Sequence, residues 1–338
     1  MLQLNYKILD LPFEFPFELS KGIKTNQPAL LVSLALGRLR GYGETTEIAY
    51  YPNSNIRHMA EMLESKRKVI ESYAINSPQR FYHFLHHLIP GESFLMSALD
   101  IAGWDLWAKM NSKSVQQLME VEMTGNEPET DYTIGINNPD QIRKIVKEKP
   151  YAIYKLKVGH ESDLQSLAAL RDATDATIRI DANEAWTLEM AQNILPSLEK
   201  CNIELIEQPF KTGDWESLEI FKTLTQIPII ADESCKSEAE VDRCLQYYDG
   251  INIKLSKFGG LSPSLEIIKK IKSAGKKVML GGMCESIIGS TATAQLLPLA
   301  DYADIDGPLL LKQNFGKGLT YEGGKIILPQ RPGLGAIL

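Results

Sequence analysis

The chain has 338 residues, 44% hydrophobic and 23% charged, an ordinary globular composition with room for two domains or one barrel with an addition. A net charge of −7, from 36 basic and 43 acidic residues, argues against a nucleic-acid surface, which needs clustered Lys and Arg. No run approaches the roughly 20 apolar residues of a membrane span, the start MLQLNYKILD is no signal peptide, and Cys201, Cys235, Cys244 and Cys284 form no CxxC pair, so a cytoplasmic chain is expected.

Residues 1 to about 50 read as a β meander: LQLNYKILDL alternates, ALLVSLAL follows, and LRGYGETTE carries turn glycines at Gly41 and Gly43. Between the first two runs, Pro12 to Gln27 is expected to be a long loop, a length that is usually functional. Residues 55 to 120 read as helices, with Asp100 and Asp105 interleaved in SFLMSALDIAGWDLWAKM, and TGNEPE at 124–129 is a plausible linker. The Lys66-Arg67-Lys68 cluster falls in a helical pattern and reads as a solvated face.

From there the pattern changes. DYTIGI, AIYKLKV, TIRIDA, IELIEQP, IPIIADES, GINIKLS, KVMLGG and YADIDG are short apolar runs bounded by Pro, Gly or Asn, the pattern of buried parallel strands. Segments such as TLEMAQNILPSLEK and SPSLEIIKKIKSAG supply helices between them. Five consecutive runs end in a charge: Lys155 and Lys157, Asp181, Glu207, Asp232, then Lys254. From Lys157 onward these residues stand 24, 26, 25 and 22 apart, about the length of one β/α unit. In a (β/α)8 barrel the strand C-termini converge on one mouth, where active sites sit. Three converging carboxylates repel unless a cation joins them, and all-oxygen ligands suit Mg2+. The alternative is that each charge caps its own strand in solvent.

The fold class is therefore α/β: a (β/α)8-type barrel at 126–314, an N-terminal α+β capping domain at 1–125, and a segment at 315–338 expected to pack back on that domain. The order KxK, Asp, Glu, Asp-Glu-Ser, Lys on successive strands resembles the enolase superfamily, muconate-lactonising subgroup. SALDIAGWDLWAKM and GLTYEGGKIILPQRPGLG extend the resemblance over nearly the whole chain. TIGI, GGMCES and the Asp-x-Asp pair Asp304 and Asp306 resemble the dipeptide epimerases within it. The resemblance implies Asp181, Glu207 and Asp232 as Mg2+ ligands, Lys157 and Lys254 as acid/base residues on opposite faces of the substrate, and Lys155 beside the substrate carboxylate. It implies a small-molecule dipeptide partner, no nucleic acid or membrane partner, and a homo-oligomer. Thr133, Glu285, Ser286, Asp304 and Asp306 are the expected further substrate contacts, the Asp pair for a free α-ammonium. Epimerases of L-Ala-Glu carry a basic residue in the N-terminal loop. The matching place looks like Gly22, with Lys21 and Lys24 nearby, which leaves room for an apolar second residue.

The chemistry is coherent on its own terms. Removing a proton next to a carboxylate builds negative charge that a divalent ion stabilises, and enolase-superfamily lysine bases with Mg2+ are a worked pattern for such enediolates. A lysine base needs its pKa moved from about 10.4 toward 7–8. Of five histidines only His160 falls near a strand end, so a histidine base is not expected. Glu233 should point away from the site, Asn183 binds a ligand or caps the next helix, and Lys257 reads as solvated. Cys235 and Cys284 read as small buried thiols, and Tyr50 and Tyr51 as domain packing. The alternatives are an N-acylamino-acid racemase, an o-succinylbenzoate synthase or muconate cycloisomerase, or a non-catalytic Mg2+-dependent binding protein.

Overall fold

The computed structural model describes residues 1–19, 22–121, 123–135, 138–160 and 162–338. Its N-terminal part opens with an antiparallel sheet of β1 (Gln3–Leu19), β2 (Gly22–Leu36) and β3 (Leu39–Thr46), in that spatial order. The stretch expected as a long loop is mostly hairpin. Leu11 pairs with Gln27 and Phe17 with Lys24, with an irregularity between Pro12 and Phe17. Phe13, Phe15 and Phe17 recur at period two, which is a strand signal. Pro12 and Pro16 are tolerated because β1 is an edge strand.

Helices α1 (Ile56–Ser72), α2 (Pro78–Leu88), α3 (Ser93–Met110) and α4 (Val115–Met119) follow. Asn55 and Ser77 cap the first two through their side chains. Helix α3 is buried on nearly every side. It lies so close to β3 that a Cβ on Gly41 or Gly43 would meet the carbonyl oxygens of Ala102 and Ala98 at 2.1 and 2.0 Å. Its buried Asp100 accepts hydrogen bonds from Ser262 N and Oγ, and its buried Asp105 from Tyr42 N and Leu334 N.

The barrel then alternates strand and helix: β4 (Tyr132–Ile134), α5 (Pro139–Glu148), β5 (Ile153–Lys157), α6 (Asp163–Ala173), β6 (Thr177–Asp181), α7 (Leu188–Lys200) and β7 (Ile203–Glu207). It continues through α8 (Trp215–Leu224), β8 (Ile229–Ala231), α9 (Glu238–Tyr247), β9 (Gly250–Ile253), α10 (Leu255–Phe258) and α11 (Leu261–Ser273). It ends with β10 (Lys277–Gly281), α12 (Ile287–Ala294), β11 (Tyr302–Asp304) and α13 (Gly307–Leu310). The eight strands pair in parallel in chain order from β4 to β11. A parallel bridge from Thr130 to Ala303 and the Ile305 N to Thr130 Oγ1 hydrogen bond bring the first and last strands together.

The last hairpin, β12 (Thr320–Glu322) and β13 (Lys325–Ile327), leads into a tail that returns to α3 and α4. There Val115 N donates to Gly333 O, and Leu334 N to Asp105 Oδ1. Among the described residues, no helix is long and apolar enough to cross a membrane.

Candidate active site

Strand register sets the site. Lys157 stands opposite Asp181, and Asp181 opposite Glu207, across β5, β6 and β7. Asp232 follows the last residue of β8, and Lys254 the last residue of β9. Alternation puts Lys155 with Lys157, Arg179 with Asp181 and Asn252 with Lys254 on shared strand faces.

At the centre, Lys155 is 1% exposed, and its Nζ lies 3.0 Å from Asp181 Oδ2, 2.6 Å from Glu207 Oε2 and 2.7 Å from Asp304 Oδ2. Lys157 Nζ donates to Asp181 Oδ2 at 2.5 Å, and Lys254 Nζ to Asp232 Oδ2 at 2.7 Å. Three strands separate β5 from β9. The two ammonium groups therefore enter one pocket from opposite sides, each gripping a different carboxylate. That pocket is also lined by Lys155, Thr133, Asp304, Asp306 and Lys24.

Charge explains the titration behaviour. Burial would raise Asp181, but Lys155 and Lys157 outweigh it and hold it at about 2. Asp232 is likewise held well below its ordinary value, with Lys254 and Lys257 overruling burial. Glu207 goes the other way, raised by burial and by Asp181. Burial alone would lower Lys254, yet Asp232 and Glu207 reverse it and carry the lysine well above its ordinary value. The depression expected of a lysine base is thus absent while the carboxylate charge faces the lysine alone.

The donor set fits a hard divalent ion. Three carboxylates stand at adjacent strand ends, all offering oxygen. Glu207 Oε2 is buried and, although 2.6 Å from Lys155 Nζ, receives no hydrogen bond of acceptable geometry. Its other oxygen is fixed by Asn252 Nδ2 at 2.8 Å.

Other expected residues divide. Asp306 Oδ2 accepts from Thr133 N at 2.6 Å, and burial plus Asp304 pushes its pKa up to about 7. Carboxylate oxygens of Asp131, Asp304 and Asp306 lie within 4.8 Å of one another. Lys24 reaches the pocket from β2, and burial lowers its pKa, with Lys157 and Lys254 adding to that. Lys21 lies outside the described residues. Glu285 and Ser286 do not line the pocket. The Glu285 carboxylate folds back to accept from Met283 N, and Ser286 donates through N and Oγ to the buried Glu44 of β3. Ser286 thereby joins the barrel to the N-terminal sheet. Asn183 lines the pocket, and its Nδ2 donates to Glu233 Oε1 at 3.3 Å.

Cys235 is buried as expected, but Cys284 is half-buried in the pocket, where burial pushes its thiol up to about 12. Tyr51 packs on Phe94 and on Tyr50, and Tyr50 also lines the pocket. Lys257 contradicts its solvated reading. It is 1% exposed, and its Nζ donates to Asp232 Oδ1 at 2.8 Å. Two of its three acceptors belong to Asp232 at the end of β8, so nothing local in Phe-Gly-Gly signals them. Asn252 was discoverable, since it precedes Lys254 by two on one strand. Gln208, whose Oε1 accepts from Asp232 N and Ser234 N, shows no such signal.

The family described as Enolase C-terminal domain-like matches residues 139–338. The chain is a member of that family. Its N-terminal part has full-length relatives too. An L-Ala-D/L-amino acid epimerase of Maribacter sp. is 39% identical over 340 residues, covering 100% of this chain and 99% of the relative. One of Flavobacterium johnsoniae is 37% identical over 338 residues, covering 100% of both. Among solved family structures, the dipeptide epimerase from Cytophaga hutchinsonii complexed with Mg and D-Ala-L-Val superposes with a TM-score of 0.91 at 29% identity, covering 99% of this chain and 95% of that one.

Proposed function

We propose that this chain is a Mg2+-dependent dipeptide epimerase. It inverts the α-carbon of the C-terminal residue of an L-Ala-Xaa dipeptide by 1,1-proton transfer between Lys157 and Lys254. One observation carries the reading: the two lysines flank a single pocket from opposite sides, each beside a different carboxylate. A base on both faces is what inversion requires and what a binding protein has no use for. The full-length relatives named as L-Ala-D/L-amino acid epimerases support the substrate class.

Asp181, Glu207 and Asp232 would hold the ion. Bound there, it would supply positive charge opposite the substrate carboxylate as the α-proton leaves, and would offset the carboxylate charge that now raises the Lys254 pKa. Lys155 adds a fixed positive charge beside that carboxylate. One lysine removes the α-proton, and the other returns a proton to the opposite face. Asp304 and Asp306 take the substrate's α-ammonium, while Thr133 orients Asp306 through its backbone amide. Lys24, with the apolar Ile48, Met283 and Leu310, lines the rest of the pocket. That mixture suits a range of second residues, with apolar side chains against the apolar wall. The domains follow the 1–125, 126–314 and 315–338 division. The enzyme works as a homo-oligomer in the cytoplasm on cell-wall-derived peptides; four unbridged thiols suit that compartment.

The test is a set of L-Ala-Xaa dipeptides in D2O with Mg2+, each run beside its N-acetyl derivative. The free dipeptides should exchange and invert the C-terminal α-hydrogen, and acetylation should cost most of kcat/KM. Equal rates for free and acetylated substrates would move the reading to an N-acylamino-acid racemase. No exchange in any of them would leave the o-succinylbenzoate synthase or muconate cycloisomerase reading and the binding protein.

A further inference from the structure

We infer that Lys257 is a positioning residue: its ammonium locks Asp232 so that Oδ2 alone is presented to Lys254 and to the ion. The inference rests on the function proposed above and concerns a residue that reading does not use. Lys257 Nζ donates to Asp232 Oδ1 at 2.8 Å, Asp232 O at 3.0 Å and Asn252 O at 2.9 Å. An ammonium has three donors, and here all three have acceptors. Lys257 therefore has no donor left for a substrate, and at 1% exposure it does not meet one.

The geometry divides the Asp232 carboxylate. Oδ1 faces Lys257 inside the barrel wall, and Oδ2 faces Lys254 in the pocket at 2.7 Å. Both lysines belong to one turn of chain. Lys254 caps α10, Lys257 lies within it, and Lys257 N donates to Lys254 O at 3.0 Å. Gly259 and Gly260, at φ of 96° and 120°, then turn the chain away in a conformation that side chains resist. One rigid element thus grips one carboxylate with two lysines. Gripping the Asp232 carbonyl as well leaves the residue little freedom to rotate.

The Lys157 side is built differently. Asp181 Oδ1 accepts from the neutral backbone amide of Asn183 at 3.0 Å, with Lys157 on the other oxygen. Buried Lys155 also lies 3.0 Å from Asp181 Oδ2, but Lys257 reaches Asp232 and not Asp181, so loss of Lys257 should damage one half-reaction more than the other.

Two roles for Lys257 predict opposite signs. If it only balances the charge of Asp232, removing it makes the site more negative and tightens cation binding. If it positions Asp232, removing it weakens cation binding despite the added negative charge. Supporting contacts of this kind are worth about 10- to 100-fold in metal affinity.

The experiment is calorimetric titration of the substrate-free protein with Mg2+ for wild type, Lys257→Met and Lys257→Arg. It is paired with α-hydrogen exchange of each epimer in D2O at saturating Mg2+. Lys257→Arg keeps the charge but replaces a point donor with a planar fork. The expected result is Mg2+ binding weakened about 10-fold or more in both variants. Exchange of the epimer facing Lys254 should fall several-fold further than exchange of the other, in kcat rather than KM. Mg2+ binding by Lys257→Met as tight as wild type or tighter overturns the inference, as does equal loss for both epimers. If Lys257→Met fails to fold, Lys257→Arg decides alone, and wild-type affinity with a wild-type epimer ratio overturns it. A wild type that neither binds Mg2+ nor exchanges overturns the proposed function and this inference with it. A competent wild type with indifferent variants overturns the inference alone.

Discussion

Asp232 illustrates how much a single carboxylate can be asked to do. Its N–H donates to Gln208 Oε1, its carbonyl and Oδ1 accept from Lys257, and its Oδ2 accepts from Lys254. Replacing it removes a charge while leaving most of that scaffold in place. Asp181→Asn, Glu207→Gln and Asp232→Asn should each reduce turnover by several orders of magnitude with near-wild-type circular dichroism. The wild type should lose activity in excess chelator and regain it on adding Mg2+. Full activity in chelator would contradict the assignment of the three ligands. Lys24 gives a second residue-level test. Lys24→Ala should change turnover of apolar dipeptides little, since an ammonium forms no ion pair with an apolar side chain. A marked wild-type preference for Glu that disappears in this variant would overturn the apolar leaning.

Elements carry the site by bringing β3 and α3 together. Gly41 and Gly43 lie on one face of β3, and Ala98 and Ala102 lie one turn apart on α3, so strand and helix backbones nearly touch. From that contact β3 runs to Thr45 and Thr46, whose hydroxyls meet Ser256 Oγ and Met283 O of the barrel. An added methyl at Gly43 would lie 2.0 Å from Ala98 O. Gly43→Ala should therefore lower stability by about 1–3 kcal/mol or more, with a matching loss of kcat/KM because the pocket's N-terminal wall moves with β3. A wild-type Tm in that variant would mean that the strand has slack.

The same scale shows what the sequence made legible. The barrel strands were readable because each is a short apolar run closed by a charge, and register then aligns Lys157, Asp181 and Glu207. The hairpin of β1 and β2 was missed because prolines at 12 and 16 mimic loop punctuation, although an edge strand tolerates them. Lys257 was missed for a different reason: two of its three acceptors belong to Asp232, 25 residues away, and only the packing of β8 beside β9 brings them to it.

At the scale of the whole molecule, the two domains meet through buried charge. Asp100 of α3 accepts from Ser262 N and Oγ at the start of α11, and Trp104 Nε1 donates to the same Oγ. Burial raises the Asp100 pKa from 3.8 to about 7. A carboxyl raised on folding favours the folded state below its unfolded pKa, and that advantage is lost as pH rises toward 7. The difference in Tm between Asp100→Asn and wild type should therefore shift in favour of the variant as pH rises from 4.5 to 7.5. A difference that stays flat over that window would contradict a raised pKa at this interface.

The central claim concerns the whole barrel, because Lys157 and Lys254 arrive from strands on opposite sides of it. The most direct measurement is NMR of α-hydrogen exchange in D2O, with Mg2+ saturating, for each epimer of one dipeptide in Lys157→Ala and Lys254→Ala. The account predicts complementary halves. Lys254→Ala should still exchange the epimer that faces Lys157 without completing its inversion, and Lys157→Ala should exchange only the other. Identical behaviour of the two variants toward both epimers would contradict it.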